Sequence, residues 1–245
     1  MSLRQTKFVF VPLAVTLLAL CLTGCTTILL PTVTVIEMFV RNNVTAGQTE
    51  SVSADSTPPE LPALAAAQPD LPATWIDRNT LGNPDAPVVV EAYEDFLCSH
   101  CTEWTKTVLP QLTETYIQSG EVRFIFHNFP LAGFLPGSQM AALASQCAAD
   151  QNAFWPYHNR LFAVQPDGQS AFTLEPLLGY ASELGLDEAA FAECMATEEH
   201  AATIETMQQT GISQGVGGTP ALYVNGNAVN SDFIALQAEI DRLLP

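Results

Sequence analysis

In the stretch "EDFLCSHCTEW", Cys98 and Cys101 stand three positions apart, with Ser99 and His100 between them. Sulfurs at that spacing can be half of a tetrahedral zinc site, close a short structural disulfide, or cycle between dithiol and disulfide. Zinc needs four ligands and usually a second pair at similar spacing. Cys147 and Cys194 instead sit singly, and His100 lies inside the loop where it cannot readily complete its neighbour's tetrahedron, so no metal is expected. A staple across so short a loop removes little entropy from the unfolded chain.

Redox exchange draws support from the elements that must position the pair. The β-branched run "APVVVEAY", residues 86–93, bounded by "GNPDAP", reads as a buried strand. From Cys101 onward, "CTEWTKTVLPQLTETYIQ" places Trp104, Val108, Leu112 and Tyr116 on one helical face, with Pro110 expected to kink the helix. Cys98 then lies at the helix start, where unpaired N–H groups and the dipole favour a thiolate. That arrangement makes Cys98 the exchanging sulfur and Cys101, one turn further in, the shielded resolving one. His100 can add a donor or a positive charge toward the Cys98 thiolate. Stabilising the thiolate favours the reduced pair and so makes the disulfide an oxidant.

Downstream, "EVRFIFHNF", residues 121–129, reads as a second strand, and at least four helices follow. Strand character returns in "ALYVNGNAV", whose Asn225 and Gly226 supply a type I′ turn, before a closing helix with Ser231 as its cap. Thr219 and Pro220 lead that late strand, where proline is confined to the first residue or a turn. Cys147 and Cys194, two thiols left over in an exported chain, are expected to pair as a structural disulfide; the plainer alternative is two buried apolar thiols. The aromatics of "FWPYHNRLF" read as core, and neither His127 nor His158 has a visible partner. The apolar "NFPLAGFLPG" offers either core packing or a surface for unfolded chains.

Composition places this domain behind a leader. Arg4 and Lys7 precede the uncharged run "FVFVPLAVTLLALCL", residues 8–22, and "LTGC" follows, ending at Cys25. Residues 1–24 read as a signal sequence resembling a lipoprotein leader, with Cys25 the lipidation site; the alternative is a membrane anchor over 8–30. Residues 25–74, rich in Pro, Ser, Thr and Ala over their second half, form a disordered tether. The folded region, 75–245, holds 21 acidic and 5 basic side chains, a net of −16 (5 − 21), which excludes nucleic acid as a natural partner.

Strand, CxxC helix, a Thr-Pro leading a late strand, hairpin and last helix resemble the thioredoxin fold. More closely, "LGNPDAPVVVEAYEDFLCSHC", "NAFWPYHNRLF", "LGLDEAAFAEC" and "GGTPALYVNG", in that order, resemble the DsbA-like thiol:disulfide oxidoreductases. The resemblance implies an α/β domain with a thioredoxin-like fold and an inserted helical subdomain at about residues 135–214. It also implies a cis bond before Pro220, with Thr219 and Pro220 facing substrate, and no cofactor beyond the redox disulfide of Cys98 and Cys101. Two departures stand out. Ser99 occupies the position where the best-known member has Pro, and Ala92 stands where thioredoxin-like proteins often bury a carboxylate, with Glu91 and Glu94 nearby.

The expectation is a membrane-tethered oxidoreductase outside the cytoplasm that transfers disulfides to exported proteins with reduced or unfolded segments and is reoxidised by a membrane redox partner. The alternatives are a reductase or isomerase of the same fold, or a metal or peptide carrier without turnover.

Overall fold

The computed structural model describes residues 70–245. The leader, Cys21, Cys25 and the tether up to residue 69 lie outside the described residues. The first described element is a 3₁₀ turn over Ala73–Trp75, in which the Trp75 N–H donates to the Pro72 carbonyl at 2.8 Å.

Six strands form one sheet in the order β1-β2-β4-β3-β5-β6. β1 (Ile76–Asp77) and β2 (Thr80–Leu81) are a short hairpin turning through Arg78, whose φ is 47°. Two-residue strands carry no alternation that a sequence could reveal. β3 (Val88–Glu94) and β4 (Val122–Asn128) pair in parallel, with Val90 opposite Phe124 and Glu94 opposite Asn128. The crossover between them is helical, as a parallel pair requires. Its first helix, α1, spans Ser99–Thr107 and so begins two residues earlier than Cys101, with Cys98 itself as the N-cap residue. The chain then breaks at Val108, restarts as α2 (Leu109–Leu112) with Pro110 in its first turn, and continues as a π-helical turn over Thr113–Ile117. Proline lacks the N–H an interior position needs, so the break falls just ahead of it.

The helical insertion follows β4. It comprises α3 (Gly137–Ala149), α4 (Phe154–Val164), a 3₁₀ stretch at Gln165–Phe172, α5 (Leu174–Glu183), α6 (Glu188–Thr197) and α7 (Ala201–Gln214). A disulfide between Cys147 and Cys194, Cα atoms 5.9 Å apart, ties α3 to α6. β5 (Ala221–Val224) and β6 (Asn227–Val229) close the sheet as a hairpin with positive φ at Asn225 and Gly226, the type I′ signature. The last helix, α8 (Phe233–Leu243), is capped by Asp232 rather than Ser231: the Asp232 carboxylate accepts from the Ala235 N–H at 2.9 Å. The N-cap falls one residue later because the helix starts at Phe233.

Strand alternation builds two cores. Val88, Val90, Ala92, Phe124, Leu222 and Val224 face the larger one, which runs into the insertion through Phe96, Phe154, Trp155 and Phe162, so the "FWPYHNRLF" aromatics are core. Tyr93, Phe129 and Tyr223 point the other way and are covered by α7. Contact there is close enough that a Cβ on Gly211 would sit 2.9 Å from the rings of Phe129 and Tyr93. The stretch "NFPLAGFLPG" is divided: Phe129 is buried, while Leu135, ahead of a second cis proline at Pro136, is 52% exposed.

Candidate active site

The loop from β3 to α1 is fixed before either sulfur is considered. Asp95, buried, accepts hydrogen bonds from the Leu97 N–H (2.8 Å), the Leu131 N–H (2.7 Å) and the Ser138 hydroxyl (2.7 Å). Its own carbonyl accepts from the Cys98 N–H at 3.0 Å. One carboxylate thus ties the cysteine loop to the strand-end loop at Leu131 and to the start of α3.

Cys98 has extended backbone (φ −80°, ψ 119°) and so presents its side chain ahead of the helix. Its carbonyl accepts from the Thr102 N–H at 3.1 Å, while the N–H groups of Ser99, His100 and Cys101 lie in the unpaired first turn. The two sulfurs are present as free thiols. Across from them, the Thr219–Pro220 bond is cis, and the Cys98 thiol donates to the Thr219 carbonyl at 3.4 Å. The structure therefore gathers Cys98, Cys101, Thr219 and Pro220 from positions 121 residues apart.

The environments of the sulfurs differ. For Cys98, donation from the Cys101 thiol is the largest influence; burial opposes it, and the Thr219 side chain and the backbone N–H groups of Cys101 and His100 add support, pulling the thiol down to about 5. The Thr219 hydroxyl is buried with no partner in the dithiol form, and so is free to donate once a thiolate exists. Cys101 is fully buried, and burial, then its bond to Cys98, then the charge of Glu94, push its thiol well above the ordinary range. The His100 ring is exposed at the surface beside the pair, and its backbone N–H is the part that supports the sulfur.

Glu94 is the buried carboxyl that the sequence left without a role. It shares a sheet face with Ala92 and is 1% exposed. Thr105 of α1 donates to one of its oxygens at 3.4 Å, and the other oxygen has no partner. Burial raises its pKa well above the ordinary range despite that bond. The signal was available in the alternation Val88, Val90, Ala92, Glu94. Glu91 faces the opposite side and pairs with His127, Nε2 to Oε1 at 3.0 Å, so His127 is not without a partner. His158 is enclosed by the rings of Phe96, Phe126, Phe154, Trp155 and Phe162, shares a hydrogen bond with Asn159 at 3.0 Å, and is pulled down to about 4 by burial.

A groove of about 460 Å³ opens beside Cys98, lined by one face of α1 (His100, Glu103, Trp104, Thr107), by Val108, and by Thr219, Pro220, Ser231 and Asp232 opposite. Outside the groove lining, Asp150, Cys194, Glu199 and His200 approach one another as metal ligands would. Cys194, however, is spent in the disulfide, and Asp150 is already held by Arg78 at 2.7 Å and His200 at 2.6 Å.

Comparison with known proteins gives consistent matches. The sequence model of the family described as Thioredoxin matches residues 76–242. The probable disulfide bond formation protein D of Bacillus anthracis is 34% identical over 172 residues, covering 68% of this chain and 78% of the relative. The crystal structure of oxidised BdbD from Bacillus subtilis superposes with a TM-score of 0.62 at 27% identity, covering 68% of this chain and 92% of that one. Wolbachia pipientis alpha-DsbA1, at 23% identity, shares the fold with a TM-score of 0.60 over 71% of this chain and 92% of its own.

Proposed function

We propose how the chemistry runs in a chain that belongs to the thioredoxin family, among the DsbA- and BdbD-like thiol:disulfide oxidoreductases: it oxidises pairs of client thiols at Cys98 and Cys101. The observation that carries this direction is the inequality of the sulfurs, one held down to about 5 at the groove and the other buried and pushed up.

A client thiolate attacks Cys98 of the enzyme disulfide. The Cys98–Cys101 bond breaks, a client–Cys98 mixed disulfide forms, and Cys101 leaves with the electron pair. A thiolate is costly at so buried a site, and the Glu94 carboxyl, kept protonated by burial, supplies the proton. A second client thiolate then attacks the client sulfur of the mixed disulfide, and Cys98 departs as the more stable thiolate. Counting the ionisation of its two thiols, the client has lost two electrons and two protons; one proton restores the Glu94 carboxyl and the other goes to solvent, and the enzyme is left reduced, with a Cys98 thiolate and a Cys101 thiol. Thr219 and Pro220 form the wall along which the client backbone lies, with His100 at its edge.

The clients are exported proteins with reduced or unfolded segments, and reoxidation falls to a membrane redox partner. The leader at residues 1–24 would direct export, and lipid on Cys25 or, alternatively, an uncleaved membrane helix over 8–30, with the tether to residue 74, would hold the domain at the outer side of the cytoplasmic membrane. No helix among the described residues is long and apolar enough to cross a membrane.

Cys101→Ala should accumulate clients as mixed disulfides through Cys98, and Cys98→Ser should abolish them. In a glutathione redox titration, a potential near about −120 mV supports oxidation, and one near about −270 mV overturns it in favour of reduction.

A further inference from the structure

The groove beside Cys98 carries a charge as well as a shape. His100, Glu103, Trp104 and Thr107 recur at helical spacing and give the groove its α1 wall. Glu103 is exposed on that wall and has no ion-pair partner among the described residues. Asp232 stands on the opposite wall; one of its oxygens caps α8 through the Ala235 N–H at 2.9 Å, and it too lacks a cationic partner. No Lys or Arg lines the groove. Of the five basic side chains in the folded region, Arg78, Arg160 and Arg242 are each held by a carboxylate, and neither Lys106 nor Arg123 is in the lining.

We infer that this groove selects client segments with a Lys or Arg close to the reacting cysteine, through Glu103 and Asp232 on its two walls. The inference rests on the proposed oxidoreductase function and deepens it by naming the substrate class. An extended peptide laid along Thr219 and Pro220, with its sulfur at Cys98, passes between the two carboxylates. A basic side chain within a few residues of that sulfur meets one of them, whereas an acidic one meets repulsion. The field of a region with net charge −16 acts in the same sense at longer range, speeding encounter with cationic segments. Glu103 and Asp232 add a local, position-dependent selection on top of that field.

The test uses dithiol peptides identical except for Lys, Gln or Glu beside the first cysteine. Each second-order rate of oxidation by the oxidised protein is divided by the rate of the same peptide with 2-hydroxyethyl disulfide, a neutral oxidant that corrects for the peptide's own thiol pKa. Each exposed carboxylate should contribute a factor of about 2–5, the size of a surface ion pair, so the Lys-to-Glu ratio should be on the order of 10. It should approach one at about 1 M salt, where the Debye length is about 3 Å. In Glu103→Gln/Asp232→Asn the ratio should fall to the small factor left by overall charge; Asn is itself a good N-cap, so α8 is preserved. The control Glu114→Gln/Glu175→Gln makes the same change in net charge at exposed positions outside the groove and should keep the ratio. Equal rates for the Lys and Glu peptides in the wild type, or a ratio that Glu103→Gln/Asp232→Asn lowers no more than the control Glu114→Gln/Glu175→Gln does, would overturn the inference. Failure of the wild type to oxidise even the Gln peptide would instead strike the oxidoreductase function.

Discussion

Reduction of the Cys98–Cys101 pair should make this protein's stability depend on pH in a way the oxidised protein's does not. In the unfolded chain a cysteine titrates near about 8.5, whereas the folded protein holds Cys98 down to about 5. A folded-state pKa below the unfolded one means that the stabilisation is fully present above about pH 8.5, and it is lost as the pH falls through about 5. Taken in full, that separation corresponds to about 5 kcal/mol. Cys98 is buried, but Thr219, its partner across the loop, lines an open groove where water competes for that interaction, so about 2 kcal/mol is the better expectation. For a domain of this size that is about 4–8 °C in Tm. Cys101 acts in the opposite sense only above about pH 8.5, because its thiol is pushed up on folding and stays neutral below that. The assay is thermal unfolding of fully reduced and fully oxidised protein from about pH 4.5 to 8, reading the difference in Tm between the two forms. The reduced protein should gain on the oxidised one by that amount across the range, whatever constant offset the disulfide contributes, and Cys98→Ser should abolish the gain. A gap that does not move with pH would refute the assignment of Cys98 as a stabilised thiolate, and with it the oxidising direction.

Two further outcomes follow from packing. Gly211→Ala should destabilise the protein by about 1–3 kcal/mol by urea unfolding, because its Cβ would press within 2.9 Å of Phe129 and Tyr93 where α7 lies on the sheet; an unchanged midpoint would show that the helix can move off without cost. In oxidised protein His158 should contribute a loss of about 3 kcal/mol as the pH falls from about 6.5 to 4, since it is pulled down to about 4 by burial and the unfolded chain takes up the proton first, while Glu94 and Asp95, raised by burial, act in the opposite sense. His158→Phe should remove that contribution, so the stability difference between wild type and variant should move by about that amount over this range, and a difference that does not change with pH would refute the assignment to His158.

Much of the site was legible in the chain because its parts are local. A β-branched run ending just before a CxxC fixes a cysteine at a helix start whatever the rest of the molecule does, and Cys98 is indeed the N-cap residue of α1. The Asn225–Gly226 turn and the aromatics of "FWPYHNRLF" were readable for the same reason: turn geometry and buried periodicity are set within a few residues. The β1–β2 hairpin was not, since two-residue strands exist only through pairing with β4. Asp232 displaced Ser231 as cap because two adjacent capping residues differ only in where the helix begins, a matter settled by tertiary packing.

The decisive chemistry lies between these levels. Sequence alone set the expectation of which sulfurs react and which one leads, since helix-terminal N–H groups are a property of the backbone at that point. Only the tertiary structure decided how far apart the two thiols are driven. The Thr219 carbonyl and hydroxyl arrive from 121 residues away, Cys101 is sealed under the fold, and a carboxyl is buried near the pair at Glu94 although position 92 holds Ala. Burial and long-range hydrogen bonds set a pKa, and neither exists until the chain has closed around the sulfurs.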